Sequence, residues 1–296
     1  MVTVRVPATA ANLGPGFDCL GAALDLYARF EFEETVRGFS VTGCDAQYAG
    51  PDNLVYRAYV KTLERFGQAS RGLRLHIVSD IPPARGLGSS AACIVGGILG
   101  AQALRNLPLS PDEVFSLAAD MEGHPDNAAA AVFGGLRVSI TDGGKPLSLP
   151  APVQADLRLL ALVPDFYLET KTARRALPEI VSRVDAVYNL SRTAFLLKAL
   201  ETGGGESIRA ACRDKLHQPY RFPLIQGGEA LAERMEVLGA LACFISGSGP
   251  SLMCLYRDPG FPAIAGKVIR TGFPRFQALL LKFNPQGAVI ERTGTL

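Results

Sequence analysis

A glycine-rich segment has the residue types of an anion-binding loop. Residues 81–101 read IPPARGLGSSAACIVGGILGA, in which Gly86 and Gly88 stand between a predicted strand and a predicted helix. Glycine lets backbone N–H groups approach a ligand closely, and a helix N-terminus offers unpaired N–H donors and a positive dipole end. The segment therefore predicts a phosphate site at a helix that begins near Ser89.

Other nucleotide-binding loops fit this segment less well. The sequence contains no GxxxxGK[ST] motif, which excludes a Walker-type loop. Residues 86–91 match GxGxxA, but a dinucleotide site also needs an acidic residue at the end of a second strand roughly 20 residues later. Asp112 stands near that position, yet it falls at a predicted helix start. A glycine turn that only packs a helix on a sheet is the remaining alternative.

A cluster of polar residues indicates a second reactive element. Four of them fall within six positions at the end of a predicted helix: Glu122, His124, Asp126 and Asn127. Burying such groups without a ligand is costly. The two carboxylates suit Mg²⁺, which takes hard oxygen ligands. A solvated loop with an ordinary histidine is the alternative interpretation.

Two further turns combine glycine with polar residues. Residues 12–18 read NLGPGFD after the first predicted strand, and this polar turn could face a ligand. Residues 246–251 read SGSGPS between two predicted strands. Successive N–H groups in such a turn can form an anion nest, although many turns of this kind are hairpin corners.

Taken in order along the chain, these segments resemble the motifs of the GHMP kinases. The family's second motif, Pro-x-x-x-Gly-Leu-Gly-Ser-Ser-Ala, lies within residues 82–92. Residues 7–18 are similar to its first motif and residues 246–251 to its third. Residues 170–174 and 214–221 resemble further segments of the members that act on L-homoserine, so the resemblance spans roughly residues 4–256.

The resemblance implies a fold, an activity and two cofactors. It implies an α+β, two-domain GHMP kinase fold, with a ribosomal protein S5 domain 2-like domain at residues 1–150 and a ferredoxin-like domain at residues 151–296. It also implies an ATP- and Mg²⁺-dependent kinase that transfers the γ-phosphoryl group to the hydroxyl of L-homoserine, in threonine biosynthesis. The family further suggests a homodimer.

Site residues follow from the same resemblance, position by position. ATP would be bound by Pro82, Pro83, Ala84, Arg85, Gly86, Leu87, Gly88, Ser89, Ser90, Ala91, Ala92 and Asn53. Mg²⁺ would be held by Ser90 and Glu122. The amino acid would be bound by Asn12, Asp18, His124, Asn127, Thr170, Arg174, Arg221, Gly247 and Ser248. The catalytic residues would be Asp126, Asn127 and Glu122, with Asp126 the candidate general base.

The charged residues predicted to bind the substrate distinguish this interpretation from its alternatives. Asp18 would meet the ammonium of the amino acid, while Arg174 and Arg221 would bind its carboxylate in the bidentate manner that suits a guanidinium. A GHMP kinase acting on an isoprenoid alcohol needs neither feature. A catalytically silent nucleotide or amino-acid sensor is the other alternative, and intact Ser90, Glu122 and Asp126 argue against it.

The elements that must position these residues are a mixture of strands and helices. Hydrophobic periodicity and the positions of turn-forming residues predict the secondary structure. The predicted strands are 2–6, 28–33, 39–41, 73–78, 157–164, 243–246 and 251–256, and the predicted helices are 54–66, 89–104, 110–121, 172–177, 183–200, 207–212 and 229–237. Ser110 and Glu113 form a predicted capping box. Residues 141–152, rich in proline and glycine, are the predicted linker. This order favours an α+β fold with two domains.

Composition limits the class of protein. The 296 residues are 48% hydrophobic and 20% charged, which predicts a folded globular chain. A net charge of +2 without a run of Lys or Arg argues against nucleic acid as a partner. The six cysteines lack metal-ligand spacing, so we expect reduced thiols and a cytoplasmic protein. The uncharged stretches 86–104 and 237–256 contain glycine or proline, and no signal sequence is visible, so no membrane partner is expected.

Overall fold

Two β-sheets and the helices around them make up the computed structural model, which describes residues 1–291. The strands are β1 (Val2–Asn12), β2 (Gly16–Thr35), β3 (Phe39–Thr42), β4 (Gly72–Ser79), β5 (Leu136–Asp142), β6 (Lys145–Ala151), β7 (Arg158–Pro164), β8 (Ala242–Ile245), β9 (Leu252–Tyr256), β10 (Phe276–Leu281) and β11 (Val289–Glu291). The helices are α1 (Leu54–Arg65), α2 (Ser89–Arg105), α3 (Pro111–Glu122), α4 (Pro125–Phe133), α5 (Thr170–Arg175), α6 (Arg183–Thr202), α7 (Gly205–Ala211), α8 (Gln218–Arg221), α9 (Gly228–Val237) and α10 (Phe261–Gly272).

The first sheet is organised around the long strand β2. Its main order is β11-β1-β2-β4-β3, and β5 pairs with both β2 and β6. The C-terminal part of β2 pairs with β4, from Ala28 to Thr35, while its N-terminal part pairs with β5 through Leu20 to Ala22. Strand β2 pairs with β1 along most of its length. One strand thus connects the outer part of the sheet to the loops that surround the candidate site.

Helix α2 packs closely against both the first sheet and α1, because one of its faces carries glycines. A side chain at Gly100 would overlap the ring of Phe32 in β2, and one at Gly97 would overlap the backbone of α1 at Val55. The central residues of α2 are buried. The N-terminus of this helix is therefore held firmly at the end of the sheet.

The second sheet has the topology of a ferredoxin-like domain. Its order is β10-β7-β9-β8 and its pairs are antiparallel. Along the chain, helices separate β7 from β8, a turn joins β8 to β9, and α10 separates β9 from β10. This confirms the α+β GHMP kinase fold that the motifs implied.

Successive side chains of β7 point alternately into two hydrophobic cores. Leu159 and Ala161 point into a large core that also contains Phe30 of β2. Leu160 and Leu162 point to the other side, into a smaller core with Phe261 of α10. The large core therefore contains residues of both sheets.

The predicted linker at residues 141–152 is wrong. Those residues form most of the β5–β6 hairpin, which turns at Gly143 and Gly144. Among the described residues 1–291, β6 pairs only with β5, so it lies at the edge of the sheet. Pro146 and Pro150 are tolerated there because they need donate no inter-strand hydrogen bond. Proline in an edge strand and proline in a linker have the same local signature.

The remaining predicted elements all occur, and most of them have nearly the predicted boundaries. The strand predicted at 28–33 is the end of the much longer β2. Ser110 and Glu113 form the predicted capping box at α3. The sequence patterns missed α4, α8, α10, β5, β6, β10 and β11. Strand β11 pairs with β1, so the C-terminal part of the described chain returns from the second sheet to the first. Within residues 1–291, the helices are all too short or too polar to span a bilayer.

Candidate active site

Loops from both sheets meet around a polar cleft of about 130 Å³. Most of the predicted site residues come together here. The predicted residues that line it are Asn12, Asp18, Ala84, Arg85, Gly86, Gly88, Ser89, Ser90, Glu122, His124, Asp126, Asn127, Thr170, Arg174, Arg221, Gly247 and Ser248. The cleft is also lined by Ala11, Leu168 and Glu169, which the sequence did not single out.

The glycine-rich loop places the N-terminus of α2 at the cleft. Gly88 is the N-cap residue, with a left-handed φ of 69°, and no side chain caps the helix. A Cβ atom at Gly88 would overlap the hydroxyl of Thr9. The first N–H groups of α2 are therefore available to an anion, with the positive end of the helix dipole behind them.

Hydrogen bonds from neighbouring segments hold this loop in place. The N–H of Thr9 in β1 donates to the carbonyl of Leu87 (3.1 Å). From the turn between β8 and β9, the Ser246 hydroxyl donates to the carbonyl of Gly86 (2.7 Å). The loop is thus fixed from both sheets.

Several residues predicted to bind ATP do not line the cleft. The side chains of Leu87, Ala91 and Ala92 are buried in the large core, and Pro82 and Pro83 lie outside the lining. Asn53 caps α1, where its Oδ1 accepts from the N–H groups of Val55 and Tyr56, and its Nδ2 donates to the carbonyl of Tyr48. These prolines, apolar residues and Asn53 stay predictions.

Arg85 lines the cleft with its guanidinium already engaged. Its Nε donates to the carbonyl of Pro164 (2.8 Å) and its Nη1 to the carbonyl of Pro83 (3.1 Å). The guanidinium also lies over the ring of Tyr167, 4.1 Å from its centre. Arg85 thus ties the loop to the end of β7.

The junction of α3 and α4 provides the carboxylates. Helix α3 ends at Glu122, Gly123 reverses the chain, and Pro125 begins α4. The Ser90 hydroxyl donates to Oε2 of Glu122 (2.8 Å), which brings the two predicted Mg²⁺ ligands together from different helices. Burial raises the pKa of Glu122.

Asp126 accepts three hydrogen bonds on one oxygen. Its Oδ1 lies 2.7 Å from Nδ1 of His124, 2.7 Å from the N–H of Asn127 and 3.3 Å from Nδ2 of Asn127. Burial lowers the pKa of His124, but its hydrogen bond to Asp126 and the charges of Asp126 and Glu122 outweigh that effect and raise it. The buried carboxylate therefore has a set orientation.

Opposite these groups, an acidic and a basic side chain pair across the cleft. Both oxygens of Asp18 accept from the Arg174 guanidinium, at 2.8 and 3.0 Å. The hydrogen bond to Asp18 raises the pKa of Arg174. The residues predicted to meet the two charges of the amino acid thus neutralise each other here.

Arg221 is a buried cation bonded to neutral acceptors. Only 1% of its surface is exposed. Its guanidinium donates to the carbonyls of Gly247 (3.1 Å) and Ala173 (3.4 Å), and its Nη1 lies 3.2 Å from Nδ1 of His217. Burial and then the charge of Arg174 lower the pKa of Arg221 to about 10.

His217 supports Arg221, a role that sequence reasoning missed. Its Nε2 lies 2.8 Å from the carbonyl of Gly14, to which it must donate, so Nδ1 is the acceptor for Arg221. Burial lowers the pKa of His217, which favours the neutral ring. The signal that could have found it is its place in residues 214–221, four positions before Arg221.

Unusual backbone conformations are concentrated at the cleft. Five non-glycine residues within 1–291 have positive φ, and three of them line it: Asn12 (71°), Asp18 (53°) and Ala84 (53°). Asn12 is held by its Nδ2, which donates to the carbonyl of Gly247 (2.8 Å), while its Oδ1 accepts from the N–H of Asp18 (3.0 Å). Strained backbone of this kind is found where a site requires a particular geometry.

Two groups of side chains could hold a metal ion. The first is Ser90 with Glu122, both hard oxygen donors beside the N-terminus of α2. The second is Asp18, His124 and Asp126, whose ligand atoms lie within 4.8 Å of one another. Asp18 forms an ion pair with Arg174, and His124 offers a nitrogen ligand. Ser90 and Glu122 both offer hard oxygen atoms, so the first group is the better fit for Mg²⁺.

Comparison with known proteins matches one family model to an N-terminal part of the chain and another to a C-terminal part. The family model described as GHMP kinases N terminal domain matches residues 53–135, and the one described as GHMP kinases C terminal matches residues 196–271. A homoserine kinase of Clostridium botulinum (strain Langeland) is 41% identical over 293 residues, covering 98% of this chain and 99% of the relative. A homoserine kinase of Clostridium beijerinckii is 42% identical over 256 residues, 86% of each chain. The crystal structure of homoserine kinase from Cytophaga hutchinsonii is similar with a TM-score of 0.86 at 27% identity, covering 98% of this chain and 97% of that one.

Proposed function

Because the chain belongs to the GHMP kinase family and to its homoserine kinase branch, we propose that it transfers the γ-phosphoryl group of ATP to the side-chain hydroxyl of L-homoserine. The product is O-phospho-L-homoserine, an intermediate of threonine biosynthesis. The observation that carries this proposal is 41% identity to a homoserine kinase over 98% of the chain. The arrangement of charges in the cleft supports it independently.

The N-terminus of α2 is the proposed site for the ATP phosphates. Its first N–H groups have no side-chain cap, and Gly88 keeps the approach open. Backbone donors and the helix dipole stabilise negative charge without needing to reorganise during the reaction. Ser89 and Ser90, at the first turn of the same helix, add hydroxyl groups beside that position.

Ser90 and Glu122 are the proposed Mg²⁺ ligands. They fit this role because two hard oxygen donors, 2.8 Å apart, lie next to the proposed phosphate site. When bound, Mg²⁺ would neutralise charge on the transferring phosphoryl group. The Ser90–Glu122 hydrogen bond holds these ligands together in the structure described here.

We propose that the bound amino acid breaks the Asp18–Arg174 ion pair and takes the place of each partner. Asp18 and Arg174 carry opposite charges and now satisfy each other, and Arg221 is a buried cation bonded to neutral groups. A zwitterion can satisfy all three, its ammonium at Asp18 and its carboxylate at Arg174 and Arg221. The other substrate contacts are proposed for Asn12, His124, Asn127, Thr170, Gly247 and Ser248.

Asp126 is the proposed proton acceptor for the substrate hydroxyl. Its Oδ1 is saturated by His124 and Asn127, while Oδ2 accepts no hydrogen bond from any residue in the described part of the chain. A carboxylate with a free oxygen in a cleft can hold or accept a hydroxyl proton. Asn127 orients the reacting groups, and positioning supplies most of the rate enhancement in phosphoryl transfer.

A coupled ADP-release assay tests the proposed function. With Mg·ATP, the panel is L-homoserine, D-homoserine, L-serine, mevalonate and galactose. We expect turnover selective for L-homoserine. Preference for mevalonate would overturn the proposal in favour of an isoprenoid kinase. Binding of ATP without turnover on any alcohol would overturn it in favour of a nucleotide sensor.

Two further properties are proposed, a location and an oligomeric state. The six cysteines are free thiols, which suits a reducing compartment, and we propose a cytoplasmic location on that basis. We propose a homodimer by resemblance to the family. Sedimentation at several protein concentrations tests the second property, and a single monomeric species would contradict it.

A further inference from the structure

Thr9 connects three elements of the site without lining the cleft. It lies in β1 with its side chain fully buried, next to a shift in the pairing between β1 and β2. Its N–H donates to the carbonyl of Leu87 in the glycine-rich loop (3.1 Å). Its hydroxyl oxygen lies 2.6 Å from Oδ1 of Asn127 in α4. The residue therefore touches both the phosphate loop and the carboxylate junction.

The direction of the hydrogen bond between Thr9 and Asn127 follows from Asp126. The Nδ2 group of Asn127 lies 3.3 Å from Oδ1 of Asp126. Reversing the amide would place two oxygen atoms against each other at that contact. Asn127 therefore turns its Oδ1 toward Thr9, and the Thr9 hydroxyl must donate.

These contacts form a chain of fixed polarity. The Thr9 hydroxyl donates to Asn127, Asn127 donates to Asp126, and His124 contributes another hydrogen bond to the same Asp126 oxygen. Asp126 and Asn127 line the cleft. The hydroxyl at the buried end of the chain sets which atoms those two side chains present to a substrate.

We propose that Thr9 is a positioning residue for phosphoryl transfer, acting through the amide of Asn127 on the carboxylate of Asp126. The inference rests on the proposed function. Removing the hydroxyl leaves the buried Oδ1 of Asn127 without its donor, so the amide rotates and Asp126 loses its orientation. Binding of ATP does not depend on these hydrogen bonds between Thr9, Asn127 and Asp126.

Thr9→Val is the variant that tests the proposal, because it keeps the shape and removes the donor. We expect kcat on L-homoserine to fall roughly 10- to 100-fold, the range of an unsatisfied buried acceptor, with KM for Mg·ATP within threefold of the unchanged protein. Thr9→Ser, which keeps the donor, should restore kcat to within about threefold. If Thr9→Val retains full kcat, the proposal is overturned.

Thr62→Val is the matched control. Thr62 is also a buried threonine, and its hydroxyl donates to the carbonyl of Ala58 within α1 (2.7 Å), away from the cleft. Loss of the Thr62 hydroxyl should change thermal stability but not kcat. An equal fall of kcat in both variants would reduce Thr9 to a structural role and overturn the proposal.

Two further measurements keep the proposal testable whatever Thr9→Val does. In an Asn127→Ala background, Thr9→Val should lower kcat less than twofold further; an additive loss would overturn a route through Asn127.

If Thr9→Val does not fold, Thr9→Cys keeps the volume with a weaker donor and should lose about tenfold in kcat; an unchanged kcat would overturn the proposal. An unchanged protein that never turns over L-homoserine would instead refute the proposed function.

Discussion

At the scale of single residues, the cleft is distinguished by how its charges are balanced. Asp18 and Arg174 neutralise each other, whereas Arg221 is buried with carbonyl groups and His217 as its direct partners. A buried cation without a bonded anion is costly to fold. The cost is explained if an anionic group of a ligand completes the site.

Arg221→Lys should weaken binding of the amino acid. An ammonium cannot donate at the same time to the positions that the planar guanidinium reaches, so we expect KM for L-homoserine to rise roughly 10- to 100-fold with a smaller change in kcat. Steady-state kinetics at saturating Mg·ATP measures both. Arg175→Lys is the control, since Arg175 is an exposed neighbour of Arg174, and its KM should stay unchanged. Equal constants for both variants would return Arg221 to a purely structural role.

Glu122→Gln should depress turnover through the metal. The amide keeps the size and can still meet the Ser90 hydroxyl, but it loses the charge that a Mg²⁺ ligand supplies. We expect kcat to fall about 100-fold or more at saturating Mg²⁺, while ATP affinity without Mg²⁺ changes little. Glu169→Gln, which changes another carboxylate lining the cleft, is the control. Turnover within a few fold of the unchanged protein would show that Glu122 is not a ligand.

At the scale of elements, the site depends on where α2 begins. The helix starts directly after Gly88, because the left-handed conformation of that residue turns the chain out of the loop. The glycines of α2 let it approach α1 and β2 closely, which anchors the helix. Its N-terminus can therefore serve as a rigid anion site.

Gly88→Ala tests this role of the helix start. A methyl group there would overlap the Thr9 hydroxyl as well as sit at a left-handed φ. Gly67→Ala is the matched control, because Gly67 has a similar φ of 64° but open space around it. Both variants incur the conformational penalty, and Gly88→Ala should lose about 1–3 kcal/mol more in urea unfolding. Equal losses would mean that the loop moves freely away from β1.

At the scale of the whole molecule, the two sheets share the large core. Strands β2 and β7 both contribute side chains to it, and β11 returns to pair with β1 after the second sheet is complete. Contacts such as Asn12 to Gly247 and Ser246 to Gly86 then join the loops above it. The cleft exists only when both sheets are assembled.

This shared core predicts a single unfolding transition. Urea unfolding followed by tyrosine fluorescence and by far-UV circular dichroism should give coincident curves, since the chain has eight tyrosines and no tryptophan. Hydrogen exchange of amides in β2 and β9 should report the same free energy of unfolding. Two separated transitions, one for each sheet, would contradict the shared core.

The sequence alone predicted most of the residues that line the cleft and most of the elements that position them. The glycine-rich loop, the polar cluster at residues 122–127 and the capping box of α3 are contiguous patterns, so local backbone preferences decide them. The family resemblance added the order of the domains. The same local reasoning made the β5–β6 hairpin look like a linker, because proline in an edge strand and proline in a linker have the same local signature.

Only the tertiary structure decided which of these residues meet. The Asp18–Arg174 pair joins residues 156 positions apart and the Thr9–Asn127 hydrogen bond joins residues 118 positions apart. No local pattern records such a pairing, because it depends on how two sheets and the start of a helix pack around a common core. The sequence therefore determined what the site contains, while packing decided how its charges are matched and which buried donor sets the orientation of its carboxylate.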